Sequence, residues 1–561
     1  MKSKNKRYVA DFETTSANFY KEHGYTKVWL YAICNENGEI ASHGDSIEKF
    51  FEDIKELGSS TIYFHNLKFD GSYILNYLLN SDYKFKKDNK AGDTKTYSTL
   101  IGELGEFYQI KVVINSKVII TFNDSLKIIP LKVKEIAKSF NLPIEKEVIN
   151  YEKYEINDTT LSYVYKDVQI VAMALKYFKD KGLNKMTIGS NSYNQYISES
   201  KYKGVFVALD KKWCEDYRAA YRGGRSQVNP KYANKILEGV KRFDINSMYP
   251  SIMVNEFLPY GSPIKCKVTG NFKFELYKVE ISFSLKNNHL PSLLKKGALF
   301  DSIGDTYYTK TEGVEVLYIS NIDLELVYRN YNVHYIKYIE IWGFNTTKLL
   351  FKDYILKYYD LKSKSTGGMR LVYKLLINSL YGKFGSKQEG YTKVPMLNDK
   401  KELIYKNSDV EEMKQYYLPI AIAITSYAHK MLDDSINYDK DNFVYCDTDS
   451  IHTLTSVEPS KIDNKELGKF KLEGVEEKSK YIRQKCYVYK ENDEYNITCS
   501  GMTEELKEYL NREYGDKIFE VFSQGLTINE KSEGIAINDF KLRPKQVKGG
   551  CILVPVPFSL K

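Results

Sequence analysis

Two short stretches of this chain place acidic residues where a folded protein can least easily hold them. In Tyr8-Val-Ala-Asp-Phe-Glu-Thr-Thr15 the residues alternate as a β-strand, so Asp11 and Glu13 share one face and Ala10 and Phe12 the other. In Phe443-Val-Tyr-Cys-Asp-Thr-Asp-Ser-Ile451, Asp447 and Asp449 sit in a turn between two apolar runs. Like charges held among apolar residues destabilise a fold unless cations lie between them. Taken alone, the first pair reads as the solvated edge of a sheet, whereas an exposed acidic hairpin turn is the lesser reading of the second. Other residues overturn the first reading and weaken the hairpin one further.

The Asp11 strand is followed by a β-rich run, Thr61–His65, and by His65-Asn-Leu-Lys-Phe-Asp70, which puts a third carboxylate at a turn. Strands are expected over 112–122 and a helix over 162–178, where Tyr163 and Asp167 stand four residues apart on one face. Four carboxylates and a tyrosine make a two-metal phosphodiesterase site chemically reasonable, since two ions about 4 Å apart can clamp the attacking and leaving oxygens. Further on, Asp244-Ile-Asn-Ser-Met-Tyr249 follows a strand. A helix over 370–380 sets Lys374, Asn378 and Tyr381 on one face, with Arg370 one turn earlier. A basic stripe is often only a solvated helix face. One that shares Asn and Tyr suits a triphosphate, because phosphoryl transfer asks a protein to position groups and neutralise charge.

In this order these motifs resemble those of family B DNA polymerases. Asp11–Thr15, His65–Gly71 and Tyr163-x-x-x-Asp167 are similar to the family's three exonuclease motifs. The Asp244, Lys374 and Asp447-Thr-Asp449 segments are similar to polymerase motifs A, B and C. The resemblance implies an α/β and α+β multidomain protein. An RNase H-like 3′–5′ exonuclease domain (1–185) would precede a right-hand polymerase domain (186–561). Within the latter it implies a palm over 186–255 and 417–520, fingers over about 351–386 and a thumb over about 521–561. Insertions would occupy about 256–350 and about 387–416.

It also implies roles. Asp11, Glu13, Asp70 and Asp167 would hold metal, with Tyr163 orienting water and Lys146 at the scissile phosphate. Thr14, His65, Asn66, Phe69, Ser125 and Leu126 would hold the frayed primer end. Asp244 and Asp449 would be the polymerase metal ligands, supported by Asp447. Lys362, Arg370 and Lys374 would face the triphosphate, Tyr249 would exclude a 2′-hydroxyl, and Tyr381 would pack at the nascent pair. Tyr221, Gly223 and Gly224 match a YxGG element at the template, and Lys485 and Tyr487, alternating on a strand, match a KxY motif at the primer. The implied cofactor is Mg²⁺, two ions per site, with Mn²⁺ as a substitute.

The two insertions and the short chain are similar to the protein-primed branch found in φ29-type phages. This implies a monomer acting on primer–template DNA and dNTPs, started from a terminal protein, with strand displacement. Two alternatives stay open here: priming by ordinary nucleic acid, and a non-catalytic DNA-binding scaffold. The charge of +9 favours a polyanionic partner only weakly. Seven scattered cysteines without a CxxC pair signal neither a zinc site nor a disulfide framework. With no signal peptide or spanning segment, a soluble protein of the host cytoplasm, with no membrane contact, is expected.

Overall fold

A computed structural model describes residues 6–147, 153–295, 306–523, 525–528, 541–556 and 558–560. The N-terminal part is built on an eight-stranded mixed sheet. Its centre is the strand Lys6–Thr14, antiparallel to Val28–Asn35 and parallel to Ser60–Phe64, which in turn runs parallel to Ile119–Asp124. Ala10 and Phe12 are buried, and Phe12 packs edge-on against Phe50 and Phe64. That leaves Asp11 and Glu13 on the opposite face, toward the long helix Asp158–Asp180. Asn157 starts that helix by accepting from the amides of Thr159 and Thr160.

The second part is organised by a five-stranded antiparallel sheet in which Val240–Ile245 lies beside Ser450–Thr453, which pairs in turn with Phe443–Asp447. The helix Leu418–Tyr438, mostly buried, shares an apolar core with this sheet and has Pro419 in its first turn, where a missing N–H costs nothing. The segment 256–350 holds a four-stranded sheet, including the long strands Phe274–Leu285 and Tyr331–Thr347, with the helix Asn321–Asn330 packed on it. The segment 387–416, read as a polar stretch, contains the hairpin Lys393–Leu397 with Leu403–Asn407. Another apolar core joins the strands over 478–499, the helix Glu504–Tyr514, Phe519, Phe558 and Leu560, so residues on both sides of 520 share it.

The C-terminal hairpin, Lys541–Val547 with Gly550–Val556, returns to the first domain, a packing that the sequence does not announce. The Tyr73 hydroxyl donates to Cys551 O, Thr26 N donates to Lys548 O at 2.9 Å, and Cys551 is buried in the N-terminal core. The turn fits only glycine. Gly549 has φ +95°, and a Cβ there would lie 2.0 Å from Thr26 O. Gly549→Ala is therefore expected to cost about 1–3 kcal/mol, read as a lower denaturation midpoint at unchanged slope.

Among the described residues no helix is long and apolar enough to cross a membrane. All seven cysteines are free thiols.

Candidate active sites

The first carboxylate group converges at the centre of the N-terminal sheet. Glu13, Asp70 and Asp167 are buried, and Phe12 N donates to Asp70 Oδ1 at 3.3 Å. Asp70 does not sit in a turn as expected. It lies in the first turn of the helix Leu67–Asn80, which begins directly after Asn66 in the left-handed region (φ 79°). That conformation, which asparagine tolerates, ends the strand sharply and aims the helix N-terminus at the cluster. Burial and the neighbouring Asp167 push the Asp11 carboxyl up to about 7, and burial followed by the Asp11 charge pushes Glu13 and Asp70 well up. Lys146 pairs with Asp167, and its ammonium lies 5.1 Å from the ring centre of buried Tyr163. Asp167 Oδ1 is buried without a hydrogen-bond partner among the described residues.

Around this cluster, His65 Nδ1 lies 2.9 Å from Ser125 Oγ and its Nε2 2.7 Å from Leu131 O. Ser125 is fully buried and also donates to Phe64 O, so its hydroxyl supports the His65 loop from behind. Asn66 is exposed, and Phe69, Thr14 and Leu126 are half-buried. A residue missed in the sequence is Asp124. Its buried carboxylate accepts from Asn66 N and Leu126 N, both at 3.0 Å, and so joins two of the expected primer-binding segments. Nothing local distinguishes it from an ordinary helix cap.

The second group forms at one end of the five-stranded sheet. Asp244 pairs in register with Ser450 and Lys471. Thr448 and Asp449 make a two-residue turn with Thr448 left-handed (φ 58°), and Ile245 N donates to Asp449 O at 2.8 Å. These constraints bring Asp244 and Asp449 together. Burial, then the Asp449 charge, pushes Asp244 up to about 7, and burial raises Asp449 as well. Lys485 Nζ bonds both Asp447 oxygens at 2.9 and 2.8 Å.

Two expectations change here. Lys485 does not alternate with Tyr487 on a strand: it occupies a left-handed turn (φ 52°), while Tyr487 stacks on Tyr481 at 5.1 Å. Tyr381 does not share the Lys374 helix either. That helix, Gly367–Asn378, ends at Ser379, and Tyr381 belongs to a separate short helix, Leu380–Phe384, where its ring stacks on Tyr249 at 4.0 Å. Lys374 and Arg370 are exposed, and Lys362 Nζ donates to Ser247 Oγ at 3.2 Å. Burial and the charges of Arg370 and Lys374 pull Lys362 down to about 8. Gly224 has an internal reason to be glycine, since a Cβ there would meet Thr448 Oγ1 at 2.9 Å; Gly223 faces open space. Tyr221 packs against Gly385. Glu473, also missed, raises Asp244 further and pairs with Lys471 at 2.8 Å.

Both groups suit divalent cations by donor chemistry, being buried or half-buried oxygens whose charges oppose one another. Although the carboxylates of each group are neighbours, among the described residues no three His, Cys, Asp or Glu side chains stand close enough to enclose an ion. At the first group the Lys146 ammonium takes the place of positive charge beside Asp167.

Residues 56–154 and 149–467 match the family described as DNA polymerase type B, organellar and viral. The DNA polymerase of Bacillus phage Nf is 34% identical, covering 99% of this chain and 100% of its own length. That of Bacillus phage phi29 is 33% identical, over 99% of both chains. The solved structure of phi29 DNA polymerase complexed with primer-template DNA and incoming nucleotide substrates superimposes with a TM-score of 0.88 at 31% identity, over 100% of both chains. Two acidic sites, the arrangement of the sheets and whole-length similarity lead to one conclusion: this chain belongs to the type B DNA polymerases, among the phi29-type phage enzymes.

Proposed function

We propose that the second site adds dNTPs to a primer 3′ end on a DNA template and the first removes mispaired nucleotides 3′–5′. We also propose that synthesis starts from the hydroxyl of a terminal protein. The observation that carries the two-activity reading is the pair of separate carboxylate groups, each with its own lysines: Lys146 at the first, Lys362, Lys374 and Lys485 at the second. Type B polymerases depend on divalent metal. We assign Mg²⁺, replaceable by Mn²⁺, to Asp11, Glu13, Asp70 and Asp167 in one site and Asp244 and Asp449 in the other. Bound ions would supply Lewis acidity and stabilise the oxygen leaving phosphorus.

The chain's own residues do the rest. Lys362, Arg370 and Lys374 attract and orient the triphosphate, and Tyr249, fixed by its stack on Tyr381, closes the space a 2′-hydroxyl would need. Lys485 holds Asp447 and so steadies the acidic turn. At the first site Tyr163 orients the attacking water, Lys146 neutralises the scissile phosphate, and the His65–Phe69 segment with Leu126 grips the frayed end. The 256–350 segment, a sheet with its own core, is the proposed seat of the terminal protein, and the 393–407 hairpin helps enclose DNA. Similarity to phage enzymes over the whole length supports this reading, in which the protein works in the host cytoplasm as a monomer.

Incubating the chain with Mg²⁺, one labelled dNTP and the protein encoded beside it tests the priming step. A labelled protein–nucleotide adduct is expected, and extension of nucleic acid primers without any adduct would overturn it. Lys362 gives a second test. Its ammonium loses its proton near pH 8, so kcat/KM for dNTP should fall, up to about tenfold, as pH rises through about 8. Lys362→Arg should flatten that fall, because arginine keeps its charge.

A further inference from the structure

Behind the acidic turn of the second site lies a buried ion pair that the chemistry above does not use. Arg225 is fully buried and Asp433 almost so. Arg225 NH1 donates to Asp433 Oδ1 at 2.7 Å, while its Nε and NH2 reach Gln227 Oε1 and its NH2 also reaches Pro291 O. The other side of Asp433 is equally occupied: Arg329 NH1 at 3.0 Å, Asn330 Nδ2 at 3.2 Å and Asn437 Nδ2 at 3.0 Å. The pair thus joins three elements: the 226–228 strand of the central sheet, the long 418–438 helix, and the insertion that supplies Pro291, Arg329 and Asn330.

The backbone of Arg225 faces the reacting end. Its carbonyl accepts from Thr448 N at 2.7 Å, and the next residue, Ser226, stands in register with Asp447. Gly224 leaves only enough space for the Thr448 side chain. Thr448 is left-handed, a conformation unfavourable to a β-branched residue, which persists only where the surroundings fix it. Buried ion pairs contribute little to net stability compared with packed apolar side chains of the same volume. What such a pair does supply is one fixed arrangement, because each of its hydrogen bonds is directional.

We infer that Arg225 and Asp433 are positioning residues: they fix the Thr448–Asp449 turn, and with it the Asp449 carboxylate, and they tie the 256–350 insertion to that turn. The inference rests on nucleotide addition at the second site. It gives the insertion a role beyond docking, since a load on Arg329 or Asn330 reaches the acidic turn through one carboxylate and one guanidinium. Neither Arg225 nor Asp433 touches the reacting groups.

The test uses the full-length chain with Asp433→Asn, which keeps the shape of the side chain and removes its charge, and with Asp433→Ala as the harsher change. The first measurement is amide hydrogen exchange. The peptide spanning residues 443–453 should exchange about tenfold faster in Asp433→Asn, while peptides from the N-terminal sheet exchange as in the parent chain. The second is a kcat-against-KM split on primer–template. A small misplacement of Asp449 should lower kcat for dNTP addition about tenfold or more and leave KM within about twofold. Primer shortening at the first site serves as the internal standard for folding and should be unchanged. The exchange measurement does not need nucleotide addition, so failure of the inference and failure of the polymerase reading are distinguishable. Unchanged exchange at 443–453 would overturn the inference, even if Asp433→Asn melts at a lower temperature. So would extension and shortening falling together, which would mark the pair as general support for the fold.

Discussion

Asp449→Ala should abolish primer extension, by about 10³-fold or more, and leave primer shortening at the parental rate. Burial and the charge of Asp447 raise the energy of ionised Asp449, whose own charge in turn raises Asp244, so the fold gains nothing from keeping it there without a cation. In the proposed mechanism Asp449 holds metal against a triphosphate, and alanine would remove that ligand without disturbing the backbone bond from Ile245 N to residue 449 O. Single-turnover extension of an end-labelled primer checks the loss, and the same primer without dNTPs checks the activity retained. Asp244→Asn should behave alike. If either substitution removed both activities from a folded protein, the sites would not be independent.

Asp11→Ala with Glu13→Ala should give the reverse result: shortening is expected to fall by about 10³-fold or more while extension persists. Mismatched primer ends then survive and stall or are extended. A stability effect accompanies it. The Asp11 carboxyl has an ordinary value of 3.8 and is held near 7 in the folded, metal-free protein, so folding takes up a proton between those values. Uptake on folding means that stability falls as pH rises from about 4 to about 7. Metal-free Asp11→Asn should lose this part of the slope, and Mg²⁺ should stabilise the parent chain more at pH 8 than at pH 5. Thermal melts across pH, with and without the ion, would read both effects.

Much of this was legible in the sequence because it is local. The Asp11 strand, the Tyr163–Asp167 helix and the Asp447–Asp449 turn each carry their signal within a few residues, as periodicity or as an acidic break in an apolar run. Where sequence reading erred, the chain had changed direction without a strong marker. Ser379 ends the Lys374 helix with no glycine or proline, so Tyr381 looked continuous with it. Lys485 turned out to sit in a left-handed turn that a lysine does not advertise. Asn66 did carry a turn-prone side chain, but its effect was to start a helix early and place Asp70 inside it.

The features missed outright depend on distant partners. Arg225 meets Asp433 from 208 residues away, and Tyr73 meets Cys551 from 478 away. A buried arginine looks, in sequence, like any surface arginine. Glu473 lies on an alternating strand, Phe470–Glu476, whose register against Asp244 only the sheet fixes. Such pairings depend on register between strands distant in the chain, and a one-residue shift would turn each side chain to the other face.

In the proposed function one chain holds a synthetic and a degradative site that compete for the same primer end. The most direct test is a single labelled primer–template incubated with the unmodified chain and Mg²⁺, with and without dNTPs. Shortening in their absence and net lengthening in their presence is the predicted result. A primer that lengthens with dNTPs but is never shortened without them, or one shortened under both conditions, would contradict the account.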